Sequence, residues 1–110
     1  MIRNSVPVTV KGEHLEIVVN VGAMIAVEKT ARKGFMKVLA EMESGDLLPV
    51  SILLGACLKK NGKPVGVDFV ESLYFDEMEE LLNPLMEAIS LAFPPAGKEK
   101  NVEAVQKTMK

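Results

Sequence analysis

The chain has 110 residues, a net charge of −2 and one cysteine. That length supports one domain with one core, and the mixing of charge signs argues against the basic face of a nucleic-acid binder. A single thiol excludes an internal disulfide and fits a cytosolic setting. No apolar run approaches the roughly 20 residues of a membrane span, and charged residues interrupt the N-terminal stretch early, so neither a signal peptide nor a membrane partner is expected. Hydrophobic residues nevertheless make up 48% of the chain, with a mean hydropathy of +0.19. A domain this small cannot hide all of that surface, so part of it is expected between subunits or against a partner. Methionine at 7 residues, with no tryptophan, fits adaptable contacts of that kind.

In chain order, Val6, Val8 and Val10 alternate with Pro7 and Thr9, and Leu15, Ile17 and Val19 alternate with Glu16 and Val18. Lys11-Gly12-Glu13 lies between them, so the stretch reads as a β-hairpin with one buried face and Pro7 at an edge. Asn20 is placed to cap a helix running to about Arg32, with Val21, Met24, Ile25 and Glu28 on one face and Val27 and Ala31 beside it. Phe35, Val38, Leu39 and Met42 give a short second helix that ends at Ser44-Gly45-Asp46.

The stretch Pro49–Lys60 is the centre of the pattern. Val50, Leu53, Leu54, Cys57 and Leu58 recur at helical spacing, and the other side is uncharged, so this helix belongs inside the domain. Pro49 fits the helix start, Lys59 and Lys60 fit its last turn, and Asn61-Gly62 fits a left-handed stop. Gly55 and Ala56 allow another backbone to approach closely. A loop then covers residues 61–67, a short capped helix runs from Asp68 to about Tyr74, and a stripe from Met78 through Leu81, Leu85 and Ile89 to Phe93 marks the last helix. Pro84 either kinks that helix or restarts it with Asn83 as cap. Pro94-Pro95 ends it. The expectation is an α+β fold, mostly α: an N-terminal β-hairpin followed by about four to five helices around a central apolar helix at 49–60. Residues 1–93 would form one domain and residues 94–110 a flexible C-terminal tail.

No catalytic or cofactor constellation emerges. His14 is the only histidine and stands beside a turn without partners for a metal or a nucleophile. Glu77, Glu79 and Glu80 complement a helix start, and Lys59, Lys60 and Lys63 lack a phosphate-loop pattern around Gly62. Cys57, among apolar neighbours, reads as an inert buried thiol. Neither an enzyme nor a cofactor, metal or nucleic-acid site is therefore expected. The residues describe a small helical interaction domain that self-associates, with Phe35, Met36, Leu73, Tyr74 and Phe75 as candidate contact residues because they flank helices.

The order of elements resembles the tail assembly chaperones of long-tailed bacteriophages and prophages. The likeness is carried by the hairpin leading into VKGEHLEIVVNVGAMIAVEK, the buried LLGACLKK stretch and the final LLNPLMEAISLAF, and it covers about residues 5–93. Leu54 stands before Gly55 where many relatives carry an aromatic near the glycine, and Pro84 departs from an uninterrupted last helix. The resemblance implies a non-enzymatic protein that oligomerises, coats the tape measure protein in the cytoplasm of the bacterial host and is absent from the mature virion. The alternative reading is a structural minor tail or connector protein of the phage particle.

Overall fold

The hairpin forms from its own turn chemistry. In the computed structural model, which describes residues 5–93, the elements are β1 (Ser5–Val10), β2 (Glu13–Val18), α1 (Val21–Ala31), α2 (Phe35–Glu43), α3 (Leu47–Cys57), β3 (Leu58–Lys60), β4 (Lys63–Pro64), α4 (Val67–Glu71) and α5 (Phe75–Ala92). This is the expected α+β architecture, mostly α. Lys11 and Gly12 both have positive φ, at 52° and 78°, the handedness that matches strand twist in a two-residue turn. Val10 pairs with Glu13 and Val6 with Ile17. The buried face carries Val6, Val10, Leu15 and Ile17, while Pro7, Thr9 and His14 face out. β1 is an edge strand of the order β1-β2-β3-β4, so an edge position suits Pro7, which has no N–H to donate.

The second half of the sheet corrects the boundary of the central helix. Expected over 49–60, α3 starts at Leu47 and ends at Cys57. Leu58–Lys60 is a strand antiparallel to β2, with Ile17 opposite Leu58 and Glu16 opposite Lys59. Asn61 and Gly62, with φ of 53° and 82°, form a second two-residue hairpin turn rather than a helix stop, and the segment expected as a loop contains β4. The cause is competition for the same residues. Leu58 has helical spacing from Leu54, but as a strand residue it fills the same core against Ile17 and adds a sheet ladder. Lys59 and Lys60 then meet acids across strands: Lys59 stands opposite Glu16, and Lys60 Nζ pairs with Glu13 Oε1 at 2.8 Å.

α3 is the hub. It packs against α1, α2, α4 and all three strands from β2 to β4. Ile52, Leu53, Leu54, Gly55 and Cys57 are buried, so the expectation of an apolar helix enclosed on all sides holds. α5 lies along β1 and β2 and buries Leu81, Leu85, Ala88 and Ile89. It runs through Pro84 as one helix, without a restart at Asn83; the proline leaves only the Glu80 carbonyl without its usual intrahelical donor.

α1 carries the expected cap and turns small residues inward. Asn20 Oδ1 accepts the Ala23 N–H at 2.8 Å, the expected cap. The buried residues are Ala23 and Val27, however, while Val21, Ile25 and Glu28 are exposed. The small Ala23 side chain suits close packing on α3. Glu28, one turn from the end, works outside the core: its Oε2 accepts the Phe35 N–H at 2.9 Å and satisfies an orphan donor at the start of α2.

The tightest contact in the fold is at Gly55. The Gly66 N–H donates to the Gly55 carbonyl at 2.9 Å, and a Cβ on Gly55 would lie 2.8 Å from both Gly66 C and Val67 N. Only glycine fits between the two backbones. Gly55→Ala is expected to destabilise the protein by about 1–3 kcal/mol. Gly22→Ala, whose Cβ would meet only Asn20 Oδ1 at 3.5 Å, should be neutral or stabilising, since alanine is the better helix former. Urea midpoints of the two variants check both outcomes.

Candidate functional site

The starts of α3 and α5 carry apolar residues that the core does not use. Leu47 and Leu48 occupy the first turn of α3, and side chains there lean back toward the helix N-terminus. Pro49 and Val50 behind them are buried, which leaves the two leucines outside. At the other wall, α4 ends at Glu71, and Ser72–Tyr74 turn the chain into α5. Between the walls lies an open groove of about 440 Å³ lined by Leu47, Leu48, Ser51, Val70, Glu71, Leu73, Phe75 and Met78. Leu48 is 66% exposed, Phe75 60% and the adjoining Tyr74 75%.

Hydrogen bonds fix this corner. Ser72 Oγ donates to the Phe69 carbonyl at 2.6 Å, and Lys11 Nζ reaches from the hairpin turn to the Ser72 carbonyl at 3.4 Å. Glu77 Oε1 accepts the Tyr74 N–H at 2.8 Å, the reciprocal half of a capping box at the start of α5. The backbone that presents Tyr74 and Phe75 to solvent is thus held from three directions, and the aromatics face outward from an ordered turn.

Of the five residues expected to make contacts, Leu73 and Phe75 line the groove and Tyr74 adjoins it. Met36 is exposed on α2 but is not among the lining residues. Phe35 is a correction: it is only 5% exposed and belongs to the core. As the first residue of α2 it packs inward with Val38 and Met42. Leu47, Leu48 and Met78 are the contributors that sequence reasoning missed. The signal was there: Asp46 is a good cap residue, and two leucines follow it directly, but the helix start was placed at Pro49.

The groove is lined mainly by apolar side chains. Glu71 is its only titratable lining residue, and the Ser51 hydroxyl donates to the Leu48 carbonyl at 2.7 Å, so no nucleophile and base meet there. His14 Nδ1 stands 3.5 Å from Thr9 Oγ1 on the outer face of the hairpin. Among the described residues no group of three or more His, Cys, Asp or Glu is placed to hold a metal ion, and no helix is long and apolar enough to cross a membrane. Cys57 is buried; loss of solvent pushes its thiol up to about 11, with Lys59 pulling weakly the other way. No protein-family model, curated protein or solved structure matches the chain.

Two predictions separate core from surface. Phe35→Ala is expected to cost about 3–5 kcal/mol, whereas Phe75→Ser should stay within about 0.5 kcal/mol; urea denaturation of each variant measures the difference. For Cys57, with a thiol at about 11, the thiolate fraction at pH 8 is roughly one in a thousand. A disulfide reagent should label the native protein slowly and the denatured protein at once. The unfolded thiol loses its proton first, near its ordinary value of 9.0, so stability from this group is intact below that pH. It falls by about 1.4 kcal/mol per pH unit between the two values, and Cys57→Ala should remove that slope from stability measured across the alkaline range.

Proposed function

We propose that this chain is a phage tail assembly chaperone that self-associates and holds the tape measure protein while the tail is built. The observation that carries the reading is the apolar groove of Leu47, Leu48, Leu73, Phe75 and Met78. It offers a helix-sized apolar surface on an ordered frame, the arrangement used for docking an amphipathic helix. A long helical tape measure protein would aggregate through its apolar stripes unless they were covered, and such a groove covers them without strict sequence reading. Met78 and Met36 add side chains that repack around different partners. Val21 and Ile25, exposed one turn apart on α1, give a separate apolar strip for contact between copies. The action is by covering surface, in the cytoplasm of the bacterial host, and the protein leaves before the virion is complete.

Co-expression with the neighbouring tape measure protein tests this directly. A tagged wild-type chain is expected to retain the partner through washing, and Leu48→Asp with Phe75→Asp to lose most of it while keeping native circular dichroism. A clean monomer that leaves the tape measure protein insoluble would remove the proposal.

A further inference from the structure

The charge around the groove is one-sided. The two segments that supply its walls, residues 46–51 and 68–80, contain Asp46, Asp68, Glu71, Asp76, Glu77, Glu79 and Glu80 and no lysine or arginine. The remaining described residues carry eight basic side chains against six acidic ones. The body of the domain is thus slightly positive, and the negative charge is gathered beside the exposed leucines and aromatics.

Helix dipoles account for only part of this. Asp76 and Glu77 lie in the first turn of α5, where acids are favoured. Glu71 is the last residue of α4, an end where peptide dipoles disfavour a carboxylate, and it lines the groove itself. Glu79 is exposed beyond the first turn of α5, next to Met78 and one turn on from Phe75. The nearby cation, Lys11, is already directed at the Ser72 carbonyl. An apolar floor with an acidic border matches an occupant of the opposite border charge.

We propose that the groove selects an amphipathic helix whose apolar stripe is flanked by lysine or arginine. This rests on reading the groove as a protein-docking surface and adds the chemistry of what it takes. Leu47, Leu48, Phe75 and Met78 bury the stripe, while Glu71 and Glu79 face the flanking cations.

The probes are two fluorescent helical peptides of roughly five turns, with the same leucine stripe and either lysine or glutamate flanks, titrated into the full chain and read by anisotropy. The lysine-flanked peptide is expected to bind about tenfold tighter near 0.05 M salt, with most of that preference gone near 0.5 M. Glu71→Gln with Glu79→Gln should narrow the ratio, and Glu13→Gln with Glu16→Gln on the sheet should not. Leu48→Ser with Phe75→Ser should weaken both peptides alike. Equal affinity for the two peptides overturns the proposal, as does equal narrowing by the sheet pair, which would mean diffuse charge attraction. A third outcome overturns it as well: if removing residues 94–110, which include Lys98, Lys100, Lys107 and Lys110, raises affinity for the lysine-flanked peptide, the chain's own segment is the occupant. Tape measure capture that ignores flanking charge would sink this inference alone. Charge preference without tape measure capture would sink only the proposed function.

Discussion

The contact between Gly55 and Gly66 sets the position of everything beyond the central helix. One hydrogen bond, 2.9 Å long, joins the two backbones, at a separation that excludes any side chain on residue 55. It anchors the start of α4 to the last turn of α3. Five residues later α4 ends, and the chain turns into α5. The far wall of the groove, at the end of α4, is therefore placed by a contact at its start. Were α4 to stand off by the width of a methyl group, Leu73 and Phe75 would move away from Leu47 and Leu48. The separation between the walls is a consequence of glycine at one buried position.

The same helix explains why apolar residues are left over. α3 is covered on every side, by three helices and the short strands, and its neighbours give it their best faces. α1 contributes Ala23 and Val27 and leaves Val21 and Ile25 outside, while α5 buries Leu81, Leu85, Ala88 and Ile89 along β1 and β2. Helix ends project past this enclosed centre, and the leucines of the first turn of α3 and the aromatics at the start of α5 lie at such ends. A small domain has too little interior for all of its apolar side chains. Part of the surplus, Leu47, Leu48, Tyr74 and Phe75, meets at one corner, while the rest is spread over α1, α2 and the second half of α5.

Most of the architecture was legible because periodicity and cap chemistry agreed. The alternating valines, the Lys11-Gly12 turn, the Asn20 cap and the stripe of α5 all point to the elements found. The central helix was identified as buried, and Gly55 as a place of close approach, from the lack of charge on any side. Two features were misread for physical reasons. Leu58 satisfies both a helical and a strand period, and a three-residue strand is too short to show its own alternation; Asn61-Gly62 is a hairpin signal that the neighbouring lysines made look like a helix end. On α1 the local pattern did not say which face is buried; the helix turns Ala23 and Val27 inward. For the site, aromatics flanking helices led to Leu73, Tyr74 and Phe75 and also to Phe35. Nothing in the local pattern separates Phe35 from Phe75, since each opens a helix. The difference is tertiary: α2 starts over the core beside Glu28, and α5 starts at a corner.

The acidic border gives that corner two functions from one set of residues. Exposed leucine and phenylalanine side by side are a hazard for non-specific association, and like charges around them make two copies of the same corner repel when they approach face to face. Self-association through the groove is thus opposed by its own border; Val21 and Ile25, another exposed apolar pair, lie on the positively biased remainder of the domain. A cationic amphipathic helix meets no such opposition. It neutralises the border as it covers the floor, so solubility of the free chain and choice of partner follow from the same carboxylates. That coupling is strongest when the frame is rigid before binding, because little ordering cost then opposes the contact. The hydrogen-bonded corner from Phe69 to Glu77 supplies such a frame.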